Sequence, residues 1–452
     1  MIGPVDSFDI TADLTADLYL LRFDKNGRLI SPRTAEMFLA AAREATDVIC
    51  FSHGWNNIYA RALGAYRDFI GGFIAQRRDL GLPLPPNYRP VLLGIIWPST
   101  SFVMPWESGP DIAASGSDES ARRQEEMLSF VTDSLDSSDV ATLVELVDGQ
   151  TGLADRDARR AVEIVSAELA READPDTGSE PPDVESLLEV WRSLDSATAP
   201  WTGPVDEDDI GTVGGAATGG TSPRAAGASD LDPRNLLRTA TVWKMKARAG
   251  VVGAEGVGPL IRAVLAGNST TRLHLVGHSF GARVVLSAVA SAEPPRPARS
   301  MLLLQPAVNR WCFASKVAVT GVEGGYRPVT ARVEYPILTT FSSFDQPLHT
   351  FFHLAVRGSS LGEPRVAALG DAWLYGALGG YGPEGLDGRC VTTPALAAGA
   401  GRYDLAGPAE VIAVDGSVPI GHRPAINGHS DVSNPVTYWA LHNLLAPTGG
   451  DR

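Results

Sequence analysis

The stretch RLHLVGHSFGARVVLSAVA, residues 272–290, decides how this chain folds. Its first residues alternate between polar and apolar and then become apolar, which predicts a buried strand. The apolar run after Gly281 is long enough for a helix. Between them lies the pattern G-x-S-x-G, from Gly277 to Gly281, which is typical of a sharp strand-to-helix turn with Ser279 at its apex. A side chain at either glycine would collide with the adjoining strand or helix. The stretch therefore predicts an α/β fold with a serine held at a strand end.

Ser279 has the position of a catalytic nucleophile in such a turn. The N-terminus of the following helix stabilises the negative charge that forms when the serine attacks a carbonyl group. We expect the backbone N–H of Phe280 to be one donor to that charge, as part of an oxyanion hole. The alternative is a glycine-rich turn with a structural role only.

Strands and helices alternate along the chain on both sides of this stretch. Further strands are predicted at 17–23, 48–52, 90–97, 299–305, 335–342 and 409–415. A closing helix is predicted at 435–445. This alternation predicts a mostly parallel sheet with helices on both faces.

An acidic stretch interrupts the alternation at 102–235. Apolar residues recur there at helical spacing, and its Gly-, Ser- and Pro-rich end at 202–230 has little to bury. We therefore predict an α/β core at 1–101 and 236–452, with a helical cap inserted at 102–235 that returns through a flexible segment. A second, Gly-rich insertion is predicted near 358–408.

The serine needs a base and a carboxylate, and in sheets with this turn the acid and then the histidine follow it along the chain. Asp345 closes the stretch TTFSSFD at the end of the predicted strand 335–342, two strands after Ser279, and is the predicted acid. Asp431 is the nearest competitor, but its short tether to His429 disfavours it, and we expect it to cap the closing helix. Three other aspartates lack a preceding strand: Asp371, Asp387 and Asp404.

His429 follows the last predicted strand and is the predicted base. His422 is a weaker candidate in a loop. His349 and His353 have the i, i+4 spacing that can bind a metal on a helix, but no third ligand lies near them in the sequence. We predict no metal site.

His53, Gly54 and Trp55 follow the strand at 48–52. The second oxyanion donor of such a fold comes from a loop after an early strand, and we expect it to be the N–H of Trp55. His53, Gly54 and His278 are predicted to contact the substrate. The alternative is a tight turn before a helix.

Composition narrows the class of partner. The 452 residues carry a net charge of −15, which disfavours nucleic acids and anionic membrane surfaces. Three scattered cysteines predict neither a disulfide framework nor a zinc site. The sequence contains no signal-peptide pattern, so we expect a cytoplasmic protein, and no nucleotide-binding motif, so we expect no cofactor. The sequence leaves the oligomeric state open.

Four motifs together resemble the α/β-hydrolase superfamily: VICFSHGWNN at 48–57, IIWPS at 95–99, LHLVGHSFGARVV at 273–285 and NGHSD at 427–431. They are most similar to a bacterial serine-esterase-like branch with an HG-aromatic-Asn-Asn loop. The resemblance implies an α/β-hydrolase fold, a triad of Ser279, Asp345 and His429, and a small-molecule acyl substrate. A lipase or phospholipase with the 102–235 segment as its lid, and a catalytically silent scaffold that binds a partner through that segment, are the alternatives.

Overall fold

The computed structural model describes residues 2–54, 59–99, 125, 128–147, 152–171, 183–198, 231–291, 293–318, 321–352 and 376–446. Trp55, the predicted flexible return at 202–230 and the first part of the predicted Gly-rich insertion lie outside these residues.

A nine-stranded sheet forms the centre of the fold and confirms the predicted α/β class. Its strands are β1 (Asp6–Thr11), β2 (Leu14–Arg22), β3 (Asp47–Ser52), β4 (Pro90–Ile96), β5 (Arg272–His278), β6 (Ser300–Leu304), β7 (Ile337–Phe341), β8 (Cys390–Pro394) and β9 (Val411–Asp415). They lie in the order β1-β2-β4-β3-β5-β6-β7-β9-β8, and every neighbouring pair is parallel except β1 and β2. Every residue of β3 is buried, as expected for a central strand that is covered on both faces.

Helices cover both faces of the sheet. The described helices include α1 (Pro32–Glu44), α2 (Tyr59–Asp79), α3 (Ser137–Val147), α4 (Asp155–Arg171), α5 (Val184–Thr198), α6 (Pro233–Val251), α7 (Gly258–Gly267), α8 (Phe280–Ala290), the four-residue α9 (Leu378–Tyr381) and α10 (Pro435–Leu445). One apolar cluster joins the sheet to α1 and α3–α8, and a second joins its other face to α2 and α10. A small hairpin of β10 (Pro419–Ile420) and β11 (Arg423–Pro424) precedes α10.

The described helices of the predicted insertion belong to the core on one face of the sheet. Nζ of Lys244 in α6 donates to Oε1 of Glu168 in α4 at 2.6 Å and to Oδ1 of Asp133 at 2.9 Å. The side chains of Lys244 and Glu168 are both fully buried. Arg248 adds a second bond to Asp133 at 2.6 Å. The buried Lys244–Glu168 pair holds α4 against α6, because breaking it would leave a charge in an apolar surrounding, and the partly exposed Asp133 adds to this attachment.

One described helical stretch, Pro233–Gly267, is long and apolar enough to cross a membrane by length and composition. Of the most apolar 18 residues of this stretch, 61% are buried inside the fold, and a buried core helix can have the same length and composition. A π-helical turn at Val252–Val257 joins α6 to α7 within this stretch. Gly253 allows the turn to pack closely, because a Cβ there would lie 2.4 Å from the Val284 carbonyl oxygen in α8.

Two strands of the sheet were absent from the sequence prediction. β1 is the outer strand at one edge, and β8 lies at the other edge within the predicted Gly-rich insertion. No residue of β8 is fully buried, so it lacks the apolar pattern that reveals a strand in sequence.

Candidate active site

Ser279 lies at a strained turn between β5 and α8. Its backbone has φ 55° and ψ −125°, a conformation that non-glycine residues rarely adopt, and its side chain is buried. A Cβ at Gly281 would lie 2.1 Å from the Ser52 carbonyl oxygen, and one at Gly277 would lie 2.6 Å from Cα of Ala282. Both glycines are therefore required by the close packing of the turn against β3 and α8.

The structure brings Ser279, His429 and Asp345 into one hydrogen-bonded chain. Nε2 of His429 lies 2.9 Å from Oγ of Ser279, and Nδ1 lies 2.8 Å from Oδ2 of Asp345. Ser279 follows β5, Asp345 lies four residues after β7, and His429 lies between β11 and α10. The carboxyl ends of parallel strands meet at one edge of a sheet, so residues far apart in sequence converge there.

The contacts of Asp345 set the protonation of the histidine ring. Asp345 is fully buried, and its Oδ1 accepts a hydrogen bond from the Leu348 N–H at 3.0 Å. A carboxylate only accepts, so the His429 nitrogen that faces Oδ2 carries the proton. Nε2 is then free to accept the hydroxyl proton of Ser279.

Asp431, the competing acid, lies elsewhere in the loop. Its Oδ2 accepts a bond from the Asn427 N–H at 2.8 Å, and its Oδ1 lies 3.2 Å from Nδ2 of Asn434. The expectation that Asp431 caps α10 was wrong, because Asn434 is the N-cap and forms a capping box with Thr437. Asp431 instead supports the cap residue.

His53 and Gly54 pass directly beside the serine after β3. A Cβ at Gly54 would lie 2.5 Å from Cβ of Ser279, so only glycine fits at this approach. Two buried contacts hold the segment: the Tyr66 hydroxyl accepts from the His53 N–H at 2.9 Å, and the Trp97 indole N–H donates to the His53 carbonyl at 3.1 Å. The His53 ring stacks on Trp97 with centroids 5.6 Å apart, and Nδ1 donates to the Gly54 carbonyl at 3.0 Å.

The two predicted oxyanion donors differ in what the structure describes. Phe280 is the first residue of α8, where backbone N–H groups point out of the helix N-terminus. Trp55 lies outside the described residues, so its predicted role stays a prediction. The predicted substrate contacts of His53, Gly54 and His278 also stay predictions. Burial lowers the pKa of His53 to about 4, so its ring is neutral at neutral pH.

Gln305 is a site residue that the sequence prediction missed. It follows β6, is fully buried, and its side chain donates to the loop that carries His429. The one signal in the sequence is a polar residue that closes the apolar strand SMLLL.

Among the residues that the structure describes, no group of three or more His, Cys, Asp or Glu side chains has the arrangement of a metal site. His349 stacks on the Tyr381 ring with centroids 4.1 Å apart, and His353 lies outside the described residues.

Comparison with protein-family models, curated proteins and solved structures found no match to this chain.

Proposed function

We propose that this protein is a serine hydrolase that cleaves a carboxylic ester or a related acyl bond through an acyl-enzyme on Ser279. The observation that carries the proposal is the hydrogen-bonded chain from Ser279 through His429 to buried Asp345, with the serine at a strained strand-to-helix turn. We further propose membership of the α/β-hydrolase superfamily, with which the fold class and the chain order of the three residues are compatible.

The reaction follows from the protonation states of the three residues. Nε2 of His429 accepts the hydroxyl proton as Oγ of Ser279 forms a bond to the substrate carbonyl carbon. The imidazolium, stabilised by Asp345, then gives that proton to the leaving alcohol as its bond to the carbonyl carbon breaks. His429 next removes a proton from water, which attacks the acyl-enzyme, and the serine oxygen leaves with the proton returned by the imidazolium.

The carbonyl oxygen becomes negative in both halves of this reaction. The N–H of Phe280, at the N-terminus of α8, is the proposed first donor to it, and the N–H of Trp55 is the proposed second. Gly54 lets the main chain after β3 approach Ser279 closely enough for the second donor. Ester, thioester, lactone and amide all form the same tetrahedral species, so the proposal covers this whole class of acyl substrates.

The described part of the insertion does not favour the lipase alternative. A lid must leave the body of the protein when it opens, whereas the buried Lys244–Glu168 pair fastens the inserted helices to α6. Activity on short-chain soluble esters and on emulsified long-chain esters separates the two hypotheses, and a sharp rise in rate at the interface would restore the lipase.

A fluorophosphonate probe tests the proposal directly. We expect covalent labelling of the wild type, located at Ser279 by peptide mass spectrometry, and none of Ser279→Ala. Ser287→Ala is the matched control, because Ser287 is a buried serine of the same helix α8 that contacts the Tyr326 hydroxyl at 2.8 Å. It should label at the wild-type rate. A folded wild type that resists the probe and hydrolyses no ester would overturn the proposal in favour of a silent scaffold.

A further inference from the structure

Two side chains donate to the main chain of the loop that carries His429. Nε2 of Gln305 donates to the Gly428 carbonyl at 2.7 Å and to the His429 carbonyl at 3.1 Å. Nε2 of His278 donates to the same His429 carbonyl at 2.9 Å. His278 ends β5 and Gln305 follows β6, and these two strands are paired in parallel. The loop is thus held from the two strand ends beside Ser279.

Gln305 is held in an unusual conformation for this contact. Its φ of 38° is in the left-handed region, and its N–H donates to Oγ1 of Thr340 in β7 at 3.0 Å. The amide oxygen is buried and has no hydrogen-bond partner in the described part of the chain. A flipped amide would place that oxygen against two carbonyl oxygens. The carbonyls of Gly428 and His429 therefore determine which way the amide faces, at the cost of an unpaired acceptor.

His278 supplies its hydrogen bond as a neutral ring. A carbonyl oxygen only accepts, so Nε2 of His278 carries the proton. Burial, together with the neighbouring His429, lowers the pKa of His278 to about 3. The ring therefore adds no positive charge beside His429, whose imidazolium it would otherwise destabilise.

We propose that Gln305 and His278 form a carbonyl clamp that positions the His429 imidazole against Ser279, with Gln305 as a positioning residue for the base. The proposal rests on the proposed function, because it assigns the clamp a role in the same proton transfer. The ring must stay within hydrogen-bonding distance of Oγ, at 2.9 Å, and a misplacement of about 1 Å can cost about 100-fold in rate.

The variant Gln305→Met keeps the length of the side chain and removes both donated bonds. We expect kcat and the rate of fluorophosphonate labelling to fall by about 10- to 100-fold, with KM changed little. Gln76→Met is the matched control, because Nε2 of Gln76 also donates to a main-chain carbonyl, that of Pro435 at 2.8 Å, and its amide oxygen is also buried without a partner in the described chain. We expect the control to keep its kcat. Equal kcat in the two folded variants would overturn the clamp.

A second pair of variants serves if Gln305→Met does not fold. His278→Leu removes the other donor and should slow labelling, whereas His278→Gln keeps a donor of similar reach and should recover most of the rate. Failure of the glutamine to exceed the leucine would remove His278 from the clamp.

The proton resonance of His429 Nδ1–H against Asp345 gives a readout that does not depend on activity. We expect it to be sharp in wild type and in Gln76→Met, and to shift or broaden in Gln305→Met because the ring is less well held. If the resonance changes in this way in Gln305→Met but the wild type does not react with the probe, the clamp is supported while the proposed function falls. An unchanged resonance together with wild-type labelling in Gln305→Met would overturn the clamp while the proposed function stands.

Discussion

Replacing Asp345 by asparagine tests how the proposed base is kept in the right protonation state. Oδ1 of Asp345 accepts the Leu348 N–H at 3.0 Å, while Oδ2 faces Nδ1 of His429 at 2.8 Å. In an asparagine the oxygen keeps the Leu348 bond, so the NH2 group faces Nδ1. An NH2 group only donates, so Nδ1 must lose its proton and Nε2 must carry it. His429 then cannot accept the proton of Ser279.

The loss should be large because the shape of the site is kept while the wrong tautomer is favoured. We expect kcat to fall by about 10⁴-fold, which corresponds to about 5 kcal/mol of transition-state stabilisation, with little change in KM. Steady-state ester hydrolysis measures both constants, and thermal melting checks that the variant is folded. Asp431→Asn is the matched control, because an asparagine oxygen can still accept from the Asn427 N–H. A large loss in Asp431→Asn with little in Asp345→Asn would show that the acid is wrongly assigned.

Three further predictions concern packing, strain and charge in this fold. Gly54→Ala should lower kcat/KM by about 100-fold, because its Cβ would lie 2.5 Å from Cβ of Ser279. Gly71→Ala, in open space on α2, should keep activity and stabilise the helix by about 0.5–1 kcal/mol in urea unfolding. The free energy of unfolding in urea should be about 1 kcal/mol higher for Ser279→Gly than for Ser279→Ala, because glycine relieves the positive φ. Equal free energies would contradict the strain. Burial alone would raise the pKa of Asp47. Hydrogen bonds to its carboxylate, of which the bond from His274 has the largest effect, outweigh burial and lower this pKa to about 2. The resulting stabilisation of about 2 kcal/mol is present above pH 4 and is lost as the pH falls towards 2. Asp47→Asn should flatten that part of the stability curve and leave kcat unchanged.

Local signals in the sequence were sufficient for the central part of the fold. β5, the turn and α8 were predictable from one stretch, because buried strands and helices differ in apolar pattern and the turn demands glycines. The closing helix was predicted at the residues where α10 lies. The edge strands β1 and β8 were missed, because an edge strand has no need of a continuous apolar run. The N-cap of α10 was wrongly assigned to Asp431, although the sequence contains the signal for Asn434, which precedes a proline at N1 and has Thr437 at N3.

The part of the candidate site that the sequence could not predict is the contact of Gln305 with the loop that carries His429. Gln305 meets the His429 loop across 124 residues of chain, and no local pattern marks a glutamine as a donor to a distant carbonyl. Its contact becomes apparent only when the order of the strands is known, because β6 lies beside β5 and thus places Gln305 next to the turn. The position of Asp345 could be predicted because the acid lies after a strand beyond the serine in sheets with this turn. The contacts of Gln305 depend instead on the path of one particular loop.

Backbone strain links the serine to that clamp. In the described chain, four non-glycine residues have positive φ: Asn87, Ser279, Gln305 and Asp387. Asparagine and aspartate adopt such angles with some ease, whereas serine and glutamine do so at a cost of about 1–3 kcal/mol each. Ser279 and Gln305 follow adjacent strands, and the Ser279 N–H donates to the carbonyl of Leu304 at 3.1 Å, immediately before Gln305. Packing of the sheet does not explain strain at these two adjacent strand ends, because ordinary strand ends pack without it. The strain is explained if the backbone must turn after both strands. The turn after β5 then holds the Ser279 hydroxyl, and the turn after β6 holds the Gln305 amide, towards the same His429 loop.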